Sequence, residues 1–281
     1  MNRALDLPVK VRDYLDEVIR LAHERSPDVV SISVFGSIAK GEFLQTVSDV
    51  DLIIALADGV SQKTKRIISK DLAALELKHG LRERLKSKRE LVYSKFDWMA
   101  AQFKSHFVCY KRDLLAGDSA AFAGVNPLAQ SLLLSTEIGF AAIVTSARTI
   151  WGDDFLHQAR IPVLTKAHLL KSCVGFLLLN AFALLGYPIL PNATKYSMSA
   201  LKWMLHSCYF CYTLESATIE KEVDFFLSKF GGEDKAFLEL MSLRREYRPS
   251  LTFIKNCFQA IVQLCIVTRR ENEFPITVRA K

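Results

Sequence analysis

The sequence lacks the patterns that mark repeat proteins, secreted proteins and histidine metal sites. It has no internal repeat and no low-complexity segment, so neither a solenoid nor a disordered chain is expected. The first residues carry no apolar stretch of the signal-peptide type, and the six histidines include no H-x-x-x-H pair. The most apolar segment, Cys173 to Leu185, contains Asn180 and is shorter than the roughly 20 residues of a bilayer span. We therefore expect a cytoplasmic protein that does not cross a membrane.

Cysteine is present but not in the patterns of disulfide or zinc scaffolds. Cys208 and Cys211 form a C-x-x-C pair with aromatic neighbours, and no second pair at zinc spacing accompanies it. We interpret the cysteines as buried free thiols that pack in the core, in preference to metal or redox sites. The six positions are Cys109, Cys173, Cys208, Cys211, Cys257 and Cys265.

The composition is that of a packed globular protein. Half of the residues are hydrophobic and 24% are charged, which excludes an intrinsically disordered chain. The length of 281 residues allows two domains of ordinary size. The net charge of +7 favours polyanionic partners, but a generally basic surface explains it better than a nucleic-acid-binding face.

The residues with the clearest chemical meaning lie between Val34 and Ile54. Asp49 and Asp51 open an apolar run, and because strand side chains alternate, both project from one face. Two neighbouring carboxylates repel unless a cation lies between them, and an oxygen-only ligand set suits Mg²⁺. Upstream, Gly36 and Ser37 offer backbone N–H groups and a hydroxyl at the start of a short predicted helix, where phosphate groups bind. The stretch therefore predicts a phosphate site beside a metal site.

This stretch resembles the signature of the nucleotidyltransferase superfamily with the DNA polymerase β-like fold. The family pattern G-S-x-A-[K/R]-G, then S-D-x-D-L, is matched by Gly36, Ser37, Ala39, Lys40, Gly41, Ser48, Asp49, Asp51 and Leu52. The connection between the two halves is slightly longer than in the commonest form, which we interpret as a longer loop.

The resemblance implies a reaction and a set of roles. A nucleoside monophosphate, in our expectation AMP from ATP, would pass to a hydroxyl group with release of pyrophosphate. Asp49 and Asp51 would bind two Mg²⁺ ions. The residues implied to bind the nucleotide are Gly36, Ser37, Lys40 and Ser48.

A third carboxylate is implied by the same resemblance, as a metal ligand or as the base for the attacking hydroxyl. Glu90 opens the predicted strand Glu90 to Phe96, and Asp97 follows its far end. In the streptomycin-type aminoglycoside adenylyltransferases a Glu opens the equivalent strand, and a later segment is similar to Phe107 to Gly117. We favour Glu90 over Asp97, with a surface role for Glu90 as the remaining alternative.

The periodicity predicts an α+β fold in two parts. Helices are predicted over Pro8 to Glu24 and Ser61 to His79, and strands over Val29 to Phe35 and Asp49 to Leu56. From about residue 126 only helical spacing remains. The later helices are predicted at Leu128 to Trp151, Lys166 to Gly186, Ser197 to Leu214, Glu220 to Phe230, Asp234 to Arg245 and Leu251 to Thr268.

We accordingly expect a polymerase-β-like nucleotidyltransferase domain with a mixed sheet at 1–125, an all-α bundle at 126–270 and a flexible tail at 271–281. This layout is similar to that of the aminoglycoside nucleotidyltransferases, in which the acceptor binds between the domains. By the same resemblance, Lys195 is a candidate for binding the nucleotide phosphates from the bundle.

Three functions fit these observations. The first is nucleotidylation of a small molecule, either of aminoglycoside type or an unknown metabolite. The second is nucleotidylation of a protein or a tRNA by a toxin–antitoxin component, with the basic stretch Lys63 to Lys95, which has eleven Lys or Arg against four Asp or Glu, as the contact surface. The third is a non-catalytic member that binds nucleotide. Nucleic acid is not favoured as a partner, and the sequence carries no signal for an oligomeric state.

Overall fold

The computed structural model describes residues 7–25, 27–40, 50–81, 105–124, 135–190, 192–232 and 234–278. These residues form two compact units. The described residues of the first unit come from 7–124 and 143–160, and those of the second from 135–142 and 161–278. The first unit contains a sheet with helices and the second is helical, so the predicted α+β class is confirmed.

A mixed sheet of four strands organises the described part of the first unit. Its strands are β1 (Val29–Val34), β2 (Leu52–Leu56), β3 (His106–Tyr110) and β4 (Arg148–Gly152). The spatial order is β3-β2-β1-β4. β1 is antiparallel to β2 and β4, and β2 is parallel to β3. The parallel pair β2–β3 gives the sheet its mixed character.

Two long helices, α1 (Val9–Glu24) and α3 (Gln62–Lys78), cover one face of this sheet. The buried side chains of α1 recur every three or four residues, which places them on one side of the helix. On the other face, Phe107 stacks on Phe122 at 4.8 Å between ring centroids. The shorter helices among the described residues of this unit are α2 (Gly36–Lys40), α4 (Lys111–Ala116) and α5 (Ser119–Ala123), with a 3₁₀ helix at Leu156–Gln158.

The strand β4 corrects the helix predicted over Leu128 to Trp151. The described helix there is α6 (Glu137–Ser146), and Arg148–Gly152 pairs with β1 instead of continuing it. Pairing with the free edge of β1 outweighs the local helical spacing. Gly152 has φ +78°, and a Cβ there would lie 2.2 Å from the Val30 carbonyl oxygen, so this end of the pairing requires glycine. The domain boundary predicted at residue 125 falls outside the described residues and stays a prediction.

The described part of the second unit is built mainly from five helices. These are α7 (Lys166–Gly186), α8 (Ala193–Thr213), α9 (Ile219–Lys229), α10 (Lys235–Arg245) and α11 (Leu251–Glu271). Helices α7, α8 and α11 pack on one another, and their inward side chains form the largest buried apolar cluster of the described residues. The predicted helices match the described ones to within a few residues at each end.

The cysteines lie inside the core, as the sequence predicts. All six are buried and free. Burial raises the pKa of Cys211 to about 12, and it raises the pKa of Cys208 well above the ordinary value for a thiol. A buried thiol with a raised pKa is a poor nucleophile, which agrees with a packing role for the C-x-x-C pair.

By length and composition, α7 and α11 would each be able to cross a membrane. The core helix of a soluble protein passes the same test, and both helices contribute to the buried core. Asn180 of α7 is fully buried, and its Nδ2 donates a hydrogen bond of 3.0 Å to the Ile254 carbonyl of α11. The two helices are thus joined by a polar contact within the second unit.

Residues 271–278 are held more firmly than predicted. Leu164 and Ile276 exchange two backbone hydrogen bonds of 2.9 and 2.8 Å, and Val278 is buried. Phe274 and Ile276 pack against the helical core. The tail predicted as flexible from residue 271 is therefore part of the second unit as far as Val278.

The first prediction concerns the N-terminus of α10. The Asp234 carboxylate accepts hydrogen bonds from the backbone N–H groups of Ala236 and Phe237, at 2.8 and 3.2 Å. We expect Asp234→Ala to lower the free energy of unfolding by about 1 kcal/mol because these donors lose their cap. Chemical denaturation would measure the loss. Asp224→Ala, an exposed position inside α9, is the matched control, and an equal loss in both variants would contradict the capping role.

A second prediction concerns pH. The pKa of Glu17 is lowered from its ordinary value of 4.5, chiefly by the hydrogen bond from Lys78, whose Nζ lies 2.5 Å from Oε1. A lowered folded-state pKa stabilises the fold above the ordinary pKa, and this contribution disappears as the pH falls through the folded value. We expect the unfolding free energy of Glu17→Gln to depend less steeply on pH below 4.5 than that of the wild type. Denaturation midpoints across this pH range would test it, and parallel curves would contradict it.

Candidate active site

The start of α2 lies directly against the Asp51 carboxylate. The Phe35 N–H donates to the Asp51 carbonyl at 3.1 Å, which continues the β1–β2 pairing by one residue. Gly36 follows with φ +66°, and a Cβ at this position would lie 2.3 Å from Asp51 Oδ2. Glycine is therefore required twice, for its backbone conformation and for the close approach of the carboxylate. The structure brings together two of the residues predicted for the site, Gly36 and Asp51.

The five residues of α2 divide into a buried and an accessible side. Ile38 and Ala39 are buried in the first unit. Ser37 and Lys40 are partly exposed. The apolar pair anchors the turn, whereas Ser37 and Lys40 keep part of their surface exposed to solvent. Their predicted roles toward phosphate stay predictions.

The alternation predicted for the aspartate segment is present where the structure describes it. Val50 is buried, whereas Asp51 is half-buried and precedes β2. Asp49, Ser48, Glu90 and the alternative Asp97 lie outside the described residues. The sequence hypothesis on the third carboxylate therefore stays a prediction.

The donor chemistry at Asp51 fits a hard cation. A carboxylate oxygen beside a partly exposed helix start is a suitable ligand for Mg²⁺ that also carries substrate phosphates. Among the described residues there is no group of three or more His, Cys, Asp or Glu side chains that could hold a metal ion. Asp51 is thus the single predicted metal ligand that the structure describes, and the full ligand set stays a prediction.

Lys195 lies in the second unit, near the start of α8. Its Nζ is 5.0 Å from the centre of the Tyr247 ring, a cation–π distance. The neighbouring Thr194 Oγ1 accepts a hydrogen bond of 2.9 Å from the Ser250 N–H. These contacts bind the start of α8 to the segment before α11. The predicted contact of Lys195 with the nucleotide is a separate role and stays a prediction.

The basic stretch Lys63 to Lys95 is described only as far as residue 81. Lys65 lies 4.8 Å from the centre of the Tyr110 ring, and Lys78 pairs with Glu17. Part of its charge is therefore used for contacts inside the first unit. This observation does not favour a nucleic-acid surface over an ordinary solvated helix face.

Residues 15–103 match the family model of the nucleotidyltransferase domain. The chain carries a nucleotidyltransferase domain. The match runs from α1 past α3 and includes both Gly36 and Asp51. This match confirms the predicted resemblance to the nucleotidyltransferases and the predicted enzyme class, a nucleotidyltransferase.

A solved structure extends the likeness beyond the nucleotidyltransferase domain. The fold is similar to spectinomycin adenyltransferase from Enterococcus faecialis, solved with ATP and spectinomycin, with a TM-score of 0.51 and 10% sequence identity. The alignment covers 92% of this chain and 98% of that chain. At this identity the likeness concerns the fold alone. No curated protein matches the chain in sequence.

The sequence patterns missed a buried polar cluster in the first unit. Glu76 of α3 is buried and contacts Ser105 and His106 at the start of β3. The signal was present in the spacing, because Glu76 lies four residues after Leu72 and eight after Ile68 on the buried side of α3. A carboxylate on that side must have buried partners, which the sequence does not identify.

Proposed function

We propose that the chain transfers AMP from ATP to a hydroxyl group of a small molecule and releases pyrophosphate. The observation that carries the proposal is the contact between Gly36 and the Asp51 carboxylate inside a nucleotidyltransferase domain. This contact places an anionic side chain beside the start of a helix whose first residues are Gly36 and Ser37. In the proposal, this neighbourhood combines the two features that nucleotide transfer requires, a cation ligand and a phosphate site.

The reaction is governed by charge. An acceptor hydroxyl attacks the α-phosphorus, the bond to the β-phosphate oxygen breaks, and negative charge builds on the phosphate oxygens. Catalysis then depends on positioning and on electrostatic stabilisation. In the proposal, Ser37 and the backbone N–H groups of α2 bind the β- and γ-phosphates, and Lys40 adds positive charge.

The family generally uses divalent metals. Asp51, together with Asp49 and Glu90 by the sequence resemblance, would hold Mg²⁺ in two sites, and the bound cations would supply charge neutralisation for the triphosphate. Glu90 would complete this ligand set or accept the proton of the attacking hydroxyl, and Asp97 is the alternative for that role.

The choice of AMP and of a small-molecule acceptor is supported by the similar solved fold. That protein is described as an adenyltransferase and was solved with ATP and spectinomycin. The alignment includes nearly all of both chains, so the likeness reaches the helical unit as well as the nucleotidyltransferase domain. We include a cytoplasmic location in the proposal, supported by six free cysteines, which are typical of a reducing compartment.

The test is to follow the label from each α-³²P-labelled NTP. The purified protein is incubated with Mg²⁺ and with spectinomycin, a panel of aminoglycosides, tRNA or no added acceptor. We expect label from ATP on a small molecule and release of unlabelled pyrophosphate. Label on tRNA or on protein would support the toxin–antitoxin alternative. Tight ATP binding with no labelled product from any acceptor would support the binding-only alternative and reject the proposal.

A further inference from the structure

Four polar side chains form a connected cluster in the first unit, which we name the Glu76 cluster. It comprises Glu76 and Ser69 of α3 with Ser105 and His106 at the start of β3. The Ser105 hydroxyl donates to Glu76 Oε1, and His106 Nδ1 lies 3.2 Å from the same oxygen. His106 Nε2 lies 3.2 Å from Ser69 Oγ. A hydrogen on Nδ1 satisfies all of these contacts, because Nε2 then accepts from the Ser69 hydroxyl.

Burial makes these contacts important for the fold around them. Glu76 is 3% exposed, and a carboxylate removed from water is costly unless donors surround it. Ser105 and His106 are two such donors, and both belong to the segment that enters β3. The partners of Glu76 therefore fix the start of β3 on the side of α3.

The start of β3 in turn borders the Asp51 segment. The Leu52 N–H donates to the Ser105 carbonyl at 2.7 Å, and Leu52 is paired with His106 in the parallel register. Asp51 directly precedes Leu52, and its carbonyl accepts the Phe35 N–H. The backbone of Asp51 thus lies between β1 on one side and, on the other, the segment of Ser105 and His106 that Glu76 contacts.

We propose that Glu76 is a positioning residue for nucleotide transfer, which acts through Ser105 and His106 to fix the backbone at Asp51. The inference rests on the proposed function, since it assigns the cluster a role in placing that function's metal ligand. The order serine, imidazole, carboxylate also occurs in hydrolases. Here, however, the Glu76 carboxylate contacts two successive residues, Ser105 and His106, beside the backbone of Asp51. We name this arrangement the clamp, because it holds the backbone in place.

The variants are Glu76→Ala, which removes both acceptor contacts, and Glu76→Gln, whose amide oxygen can still accept from Ser105 and His106. Glu222→Ala is the matched control in the second unit. Glu222 is 1% exposed, and its Oε1 lies 2.7 Å from His206 Nδ1, so this change also breaks a buried carboxylate–histidine pair. Thermal unfolding of all three variants measures how much stability each has lost. The metal affinities of the variants can then be compared with these losses taken into account.

Two readouts separate positioning from general stability. The first is the Mg²⁺ concentration for half-maximal transfer. The second is the affinity for Mn²⁺, measured by electron paramagnetic resonance with α,β-methylene-ATP, which cannot undergo transfer. We expect Glu76→Ala to raise the half-maximal Mg²⁺ concentration by about tenfold and to lower the Mn²⁺ affinity by about tenfold. Losses of this size are found for residues that orient metal ligands. Glu76→Gln should restore most of the loss, and Glu222→Ala should match the wild type in both.

The outcomes distinguish this proposal from the proposed function. Wild-type protein that binds Mn²⁺ and the analogue but transfers nothing rejects the proposed function, and the Mn²⁺ affinities of the variants still test the clamp. Unchanged Mn²⁺ affinity in folded Glu76→Ala overturns the clamp. If that variant does not fold, Ser105→Ala is measured instead, and unchanged affinity there also overturns it. Wild-type protein that binds neither Mn²⁺ nor the analogue overturns both proposals.

Discussion

Asp51→Asn should reduce nucleotide transfer by at least about a thousandfold while the protein remains folded. The substitution keeps the shape of the side chain but removes the negative charge that would hold a divalent cation beside Gly36. Because Asp51 is only half-buried, little apolar packing depends on it. The loss would be measured as the rate of label transfer from α-³²P-ATP, with circular dichroism to confirm the fold.

The control for this change is Asp58→Asn, a few residues beyond the other end of β2. Asp58 Oδ1 accepts a hydrogen bond of 2.9 Å from the Arg112 N–H, and an asparagine oxygen can accept the same bond. This variant should retain transfer within a few-fold of the wild type. Near-normal turnover in Asp51→Asn, and in the corresponding Asp49→Asn, would reject the proposed mechanism.

Gly36→Ala is expected to reduce transfer by about a hundredfold or more, because it moves the carboxylate that the site depends on. The new Cβ would lie 2.3 Å from Asp51 Oδ2, a distance that no non-bonded pair tolerates. The left-handed conformation, φ +66°, adds a strain of about 1–2 kcal/mol for any residue with a Cβ. Either the Asp51 side chain or the start of α2 must therefore shift.

Gly231→Ala separates the two causes. Gly231 has φ +81°, but a Cβ there would meet no atom within 4 Å. Both variants should lose stability from the strain, whereas only Gly36→Ala should lose transfer. Denaturation midpoints and initial rates, measured together, would show the difference. Equal rates in both variants would mean that the approach of Gly36 to Asp51 has no role in transfer.

The parts of the site that could be predicted are those encoded by neighbouring residues. The glycine–serine turn between two apolar runs predicts a strand, a sharp turn and a second strand, and the structure contains β1, α2 and β2 in that order. The alternation of Val50 and Asp51 predicts which side chain is buried. These features depend on spacing within a few residues, which the sequence displays directly.

The features that escaped prediction depend on distant parts of the chain. Arg148–Gly152 becomes a strand because β1 offers it an open edge, and no local pattern reveals that edge. Ser105 and His106 gain their importance from Glu76, which lies 29 and 30 positions earlier. Local spacing showed that Glu76 is on the buried side of α3, but only the folded chain shows what it binds.

The position of β4 in the sheet has a consequence for the synthesis of the protein. β1 leaves the ribosome early, yet one of its edges is completed only by residues 148–152, which are made after α6. Until then the nascent chain presents an uncovered strand edge, the kind of surface that recruits foreign strands and leads to aggregation. A fragment ended at residue 125 would keep that edge permanently. Expression of the nucleotidyltransferase domain by itself should therefore yield insoluble protein, even though it contains the whole family match.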